Sequence, residues 1–124
     1  SLSLFIGNDV FKSAIAVAPV TSWRYYDTIY TERYMSTPQL NGEGYDAYSP
    51  NSHIDKLKGN FLLIHGTGDD NVHFQNAVEM LDRLVAANKQ FDTFYYPNRN
   101  HGIYGGNTTW HLYNQMTNWL IDNL

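Results

Sequence analysis

The chain alternates short, continuously apolar runs with helical patterns, and that order constrains its fold more than any other feature. Ala14-Ile15-Ala16-Val17-Ala18 is stopped by Pro19. Phe61-Leu62-Leu63-Ile64-His65 breaks at Gly66 and Gly68, and the run from Phe91 to Tyr96 ends in Pro97-Asn98-Arg99. Unbroken apolar runs of this length fit strands buried on both faces. Between the second and third runs, Ala77, Met80, Leu81, Leu84 and Val85 fall at i, i+3, i+4, i+7 and i+8, which predicts an amphipathic helix within 72–88. Residues 108–124 repeat the pattern through Leu112, Met116, Trp119 and Leu120, with Thr108 or Thr109 as the expected cap. Strand, helices, strand, helix, strand, helix predicts an α/β fold: parallel strands joined by right-handed crossovers.

The first crossover is less regular. Tyr26, Tyr30 and Tyr34 recur every fourth residue, which predicts one helical face within 25–35. Pro38, Gly42, Gly44 and Pro50 mark 36–50 as a loop with at most a short helical turn. Ser52 to Lys58 suits a second short helix, closed by Gly59.

Composition narrows the class. The 124 residues suffice for one domain and not for two. At 43% hydrophobic and 16% charged residues, disorder is not expected. A net charge of −4 carries no basic nucleic-acid footprint, so nucleic acid is not an expected partner. No run of eighteen apolar residues occurs, so no transmembrane helix is expected. Cysteine is absent, which removes thiol chemistry and cysteine metal sites. Ten tyrosines point to an aromatic-lined pocket or a surface awaiting a neighbour. Ser1-Leu2-Ser3-Leu4-Phe5 reads as the end of a helix entered from upstream, so the chain is expected to be part of a longer protein.

The chemistry-bearing residues stand just past the strand-like runs. Asp69, Asp70 and Asn71 follow the second, and His101 follows the third. Open α/β sheets gather functional groups at the carboxyl ends of their strands. An acid followed in sequence by a histidine is also the order of the last two members of an α/β-hydrolase triad. There the imidazole takes the proton of a serine hydroxyl, and the carboxylate fixes its tautomer and stabilises the imidazolium. Alone, either acid reads equally as a helix N-cap, a role assigned here to Asp70.

A longer set of motifs goes further. Ala16-Val17-Ala18-Pro19-Val20, Trp23, Tyr25-Tyr26-Asp27-Thr28-Ile29-Tyr30-Thr31-Glu32-Arg33-Tyr34-Met35, His65-Gly66-Thr67-Gly68-Asp69-Asp70-Asn71-Val72-His73-Phe74 and Asn100-His101-Gly102-Ile103 stand in order along nearly the whole chain. In these it resembles the carboxyl-terminal end of dipeptidyl peptidase IV-type enzymes of the prolyl oligopeptidase family. Tyr96 to Gly106 and the absence of cysteine look like the bacterial branch. The resemblance implies the carboxyl-terminal portion of an α/β-hydrolase fold over residues 1–124. It implies Asp69 and His101 as triad members, and Val20, Trp23, Tyr26, Tyr30 and Val72 around a slot for a proline ring. Asn71 would bind a substrate carbonyl. It further implies release of amino-terminal dipeptides with proline or alanine second, a peptide substrate, no cofactor, and an extracytoplasmic or periplasmic bacterial setting. Homodimer formation partly through the last helix, Trp110 to Leu124, is implied as well.

Other readings stay open on the residues themselves. No G-x-S-x-G motif occurs, and neither Ser1 nor Ser3 sits in one, so the nucleophile and oxyanion donors are expected upstream. The same fold serves esterases and proline endopeptidases, and an inert fragment or interaction module is the non-enzymatic rival. His65, Asp69, Asp70, His73 and His101 invite a metal reading, but His-Glu-x-x-His is absent and no metal is expected. Asn107-Thr108-Thr109 matches a glycosylation sequon, a pattern with many chance matches. A sheet of three strands leaves an unpaired parallel edge, expected at 14–18 or 61–65.

Overall fold

The computed structural model describes residues 2–7 and 10–124; Ser1, part of the segment read as an incoming helix end, lies outside them. The chain order is α1 (Leu2–Ile6), β1 (Ser13–Val17), α2 (Thr28–Met35), α3 (Gly42–Ala47), β2 (Asn60–Gly66), α4 (Gln75–Ala86), β3 (Asp92–Tyr96) and α5 (Thr108–Asn123). Two 3-10 segments, Trp23–Tyr25 and Pro50–Lys56, complete it. All strand pairs are parallel, in the order β1-β2-β3. Ala16 stands beside Leu63, and Ile64 beside Phe94.

β2 explains the layering. Successive side chains of a strand point to opposite faces. Phe61 and Leu63 join Phe5, Ala16, Ile54, Leu57, Ala77, Met80 and Leu84 on one side. Leu62 and Ile64 join Tyr96, Ile103, Leu112 and Trp119 on the other. Both sets are apolar because α4 covers one face and α5 the other. Burying one such leucine or isoleucine contributes roughly 1.5–3 kcal/mol. The helical periodicity thus survives as packing: Ala77, Met80 and Leu84 are fully buried, whereas Val85 is exposed.

Polar clasps also fix α5 to the sheet. The Trp119 indole N–H donates to Asp92 Oδ2 at 2.7 Å, tying α5 to the start of β3. The carbonyl of Asn123 accepts from Ser13 Oγ at 2.5 Å and from Asn60 Nδ2 at 3.0 Å, so the last turn of α5 closes on the entrances of β1 and β2. Gly59 turns into β2 at φ +83°, where a Cβ would stand 2.3 Å from the Lys12 carbonyl oxygen.

Several expectations need correction. α2 begins at Thr28, because the Asp27 carboxylate caps it by accepting from the Tyr30 N–H at 2.8 Å. Tyr26 therefore precedes the helix in extended backbone, and only Tyr30 and Tyr34 ride on it. Residues 36–50 include a helix of six residues, capped by the Asn41 side chain. Neither Thr108 nor Thr109 caps α5: Asn107 holds the cap position, and the Thr108 hydroxyl accepts from Arg99 Nε at 3.0 Å. The run 61–65 is no edge, being paired on both sides; among the described residues the outer edges belong to β1 and β3.

Candidate active site

The site forms where β2 and β3 end. The exit of β2 runs through Gly66, Thr67 and Gly68, and the exit of β3 lies directly against it. Thr67 N donates to Tyr96 O at 3.0 Å, Gly68 N to Arg99 O at 3.0 Å, and Asn98 N to Thr67 Oγ1 at 2.8 Å. A Cβ on Gly66 would fall 2.3 Å from Arg99 O and 3.0 Å from Asn100 O. Glycine is required there because the two backbones touch. Asn98, at φ 56°, takes the left-handed turn that sends the chain back toward β2.

This lacing brings Asp69 and His101 together. His101 Nδ1 lies 2.9 Å from Asp69 Oδ2. The Asp69 side chain is fully buried, whereas the His101 side chain is 43% exposed. Asp69 Oδ1 accepts from the backbone N–H of Asn71 at 3.0 Å and of Val72 at 2.8 Å, which holds the carboxylate in one orientation. A carboxylate accepts, so His101 Nδ1 carries the proton and Nε2 keeps its lone pair. Among the described residues Nε2 makes no hydrogen bond. An imidazole oriented by a buried carboxylate, with its far nitrogen open, is equipped to accept a proton from a nucleophile.

Asp70, expected as a helix cap, does not serve as one. α4 starts at Gln75, with Phe74 in the cap position and no capping side chain. Asp70 instead borders a polar concavity of about 650 Å³ with Tyr25, Tyr26, Asp27, Thr28, Asn71 and His73. The Tyr26 hydroxyl donates to Asn71 Oδ1 at 2.9 Å, leaving the Asn71 amide nitrogen for another acceptor. A second, apolar concavity of about 500 Å³ is lined by Trp23, Tyr30, Thr31, Tyr34, Met35, Asn41 and Tyr48.

The expected pocket residues are thus partly gathered. Trp23, Tyr26, Tyr30 and Tyr34 form a continuous ring-to-ring strip, with centroids 6.1, 5.4 and 5.1 Å apart. Tyr26 and Tyr30 nevertheless open onto different concavities, and Val20, Val72 and His101 border neither. Val72 is buried, and its N–H donates to Asp69 Oδ1. A network behind the strip fixes its base. Thr21 N donates to Asn76 Oδ1 at 3.1 Å, and Thr21 Oγ1 to Asn76 O at 2.7 Å. Trp23 N donates to Ser49 Oγ at 2.9 Å.

Of the residues weighed as metal ligands, His65 is committed elsewhere: its Nε2 lies 2.8 Å from the Val72 carbonyl oxygen. Among the described residues, no three histidine or carboxylate side chains are arranged to hold an ion. No helix among them is long and apolar enough to cross a membrane.

The geometry has close counterparts. A crystal structure of Porphyromonas gingivalis dipeptidyl peptidase 4 superposes with a TM-score of 0.96 at 50% identity, covering 98% of this chain and 17% of that one. The protein named "Probable dipeptidyl-aminopeptidase B" in Podospora anserina is 49% identical over 119 residues, 94% of this chain and 13% of its own length. Its namesake in Colletotrichum graminicola is 48% identical over 115 residues. The chain therefore spans a small part of the length of the relatives it matches. Its parallel sheet and covering helices are a portion of the α/β-hydrolase fold. The model of the prolyl oligopeptidase family matches residues 2–124, and the chain belongs to that family of serine peptidases.

Proposed function

We propose that residues 1–124 are the carboxyl-terminal part of the catalytic domain of a serine exopeptidase that releases amino-terminal dipeptides, with proline or alanine at the second position. The observation that carries this reading is the 2.9 Å pairing of His101 with the buried carboxylate of Asp69 at adjoining strand ends. His101 Nε2 takes the proton of a serine hydroxyl supplied by residues outside this chain and then returns it to the leaving amine. Asp69 holds the ring and stabilises the imidazolium, and the serine forms the acyl-enzyme. The oxyanion donors also come from outside, since no G-x-S-x-G occurs in these residues.

Relatives carrying dipeptidyl peptidase names support the substrate class. The aromatic strip supports the preference for a compact, flat, apolar ring. In this reading Trp23, Tyr26 and Tyr30 supply ring faces, Val20 and Val72 methyl groups, and Asn71 a donor to the substrate carbonyl. The exposed face of α5, with Trp110, Tyr113, Ile121 and Leu124, is the surface through which the whole protein pairs with a second copy.

The test is steady-state hydrolysis of glycyl-prolyl-p-nitroanilide by the full-length protein. Asp69→Asn leaves an acceptor for the Asn71 and Val72 N–H groups but turns an amide toward His101. It is expected to lower kcat by about 10⁴-fold, as loss of the orienting carboxylate does in such triads. Full activity in both Asp69→Asn and His101→Ala would refute the assigned roles. Cleavage confined to internal proline bonds of amino-blocked peptides would refute the exopeptidase reading.

A further inference from the structure

His65 is a polar residue within the buried run of the central strand, four residues before Asp69, and it is 0% exposed. A fully buried imidazole is costly unless its polar atoms are engaged. One engagement is firm: Nε2 lies 2.8 Å from Val72 O. A carbonyl only accepts, so Nε2 carries the ring proton. The same nitrogen is 3.3 Å from Asp69 Oδ2, the oxygen that receives His101. The His65 ring is braced edge-on against Phe74, centroid to centroid 5.7 Å.

We infer that His65 is a positioning residue, resting on the roles proposed for Asp69 and His101, whose single N–H is shared between Val72 O and Asp69 Oδ2 and helps hold the oxygen that His101 also meets. The turn 69–72 is thereby closed from both directions: its N–H groups are held by Asp69 Oδ1, and its last carbonyl by His65. Sharing Oδ2 also draws negative charge away from the carboxylate as His101 sees it. His65 Nδ1, buried without a partner, fits a neutral ring held for its one donor. Burial lowers the His65 pKa against the opposing pull of the Val72 carbonyl and Asp69, with nearby His101 also disfavouring a charge on it, so the ring stays a single-donor imidazole at neutral pH.

The experiment compares His65→Phe and His65→Gln in the full-length protein, following kcat and KM on glycyl-prolyl-p-nitroanilide. Phenylalanine keeps the ring against Phe74 and removes the donor. It is expected to lower kcat roughly ten- to a hundred-fold with KM nearly unchanged, the scale set by a small misplacement of a catalytic group. Glutamine places an amide N–H near the Nε2 position and should restore most of kcat. Wild-type kcat in His65→Phe overturns the inference, as does failure of glutamine to do better than phenylalanine. Should His65→Phe not fold, 15N spectra of the wild-type imidazoles decide: at neutral pH His65 must carry its single proton on Nε2, and a single proton on Nδ1 overturns the inference. If Asp69→Asn is inactive while His65→Phe is indifferent, only the His65 assignment falls; if Asp69→Asn is fully active, the parent reading falls first.

Discussion

The contact between the two strand exits can be tested through one methyl group. Gly66→Ala would place a Cβ 2.3 Å from Arg99 O. Carbon–oxygen contacts become comfortable only near about 3.5 Å, so the His101 loop must retreat by about 1 Å. None of the three nearest atoms belongs to a flexible side chain; all are backbone carbonyl atoms of Arg99 and Asn100. The retreat pulls on the Thr67–Tyr96, Gly68–Arg99 and Asn98–Thr67 hydrogen bonds. Each contributes about 1 kcal/mol net, so losing all three costs about 3 kcal/mol. Local opening should then become roughly a hundred times more frequent, since about 1.4 kcal/mol is tenfold. Hydrogen exchange of peptides spanning 61–74 and 92–104 in the intact protein reads this directly. The same retreat lengthens the 2.9 Å Asp69–His101 pairing, and kcat should fall on the order of a hundredfold. Gly42→Ala is the control, because its nearest neighbour, an Arg24 side-chain nitrogen, lies 3.7 Å from the added carbon. Unchanged exchange and unchanged kcat in Gly66→Ala would refute the claim that backbone contact aligns the pair.

Three further outcomes are expected. The His65 pKa is depressed in the folded state, so the unfolded chain binds the proton more readily. Stability should therefore decline as pH falls below the unfolded value of about 6.5, by at most about 1.4 kcal/mol per pH unit, and His65→Phe should flatten the drop in urea midpoint. Tyr26→Phe removes the 2.9 Å bond to Asn71; on the proposed reading KM should rise severalfold with kcat little changed, and an unaltered KM would detach Asn71 from substrate binding. The 124-residue chain alone should not hydrolyse the chromogenic substrate and should self-associate through the outer edge of β1 or β3; concentration-independent light scattering with a sharp thermal transition would contradict the second half.

The strands and the Asp69–His101 juxtaposition were legible because they rest on short-range signals: unbroken apolar runs, then glycine or proline, then a polar group at the strand end. Tyr26 was misread because a spacing of four among tyrosines resembles a helical face, while the single residue Asp27 decides where the helix starts. Its ring reaches Tyr30 from extended backbone instead. Val72 was singled out for its apolar side chain, whereas its peptide group, bonded to Asp69 through the N–H and to His65 through the carbonyl, is a role that no side-chain reading reveals. His65 was visible only as a possible ligand. A lone histidine in a strand buried on both faces was the available signal, but its partner, the Val72 carbonyl, is defined by a turn that sequence periodicity does not encode.

The clasp at the far end of the sheet bears on biosynthesis. Ser13 and Asn123 are separated by 110 residues, and one carbonyl in the last turn of α5 joins the entrances of β1 and β2. A ribosome delivers both strands well before it delivers that carbonyl. Until then the Ser13 hydroxyl and the Asn60 amide lack this acceptor, and closing so long a loop makes the step late in folding. A nascent chain stalled before Asn123 would present an open-ended sheet for proteases and chaperones to act on.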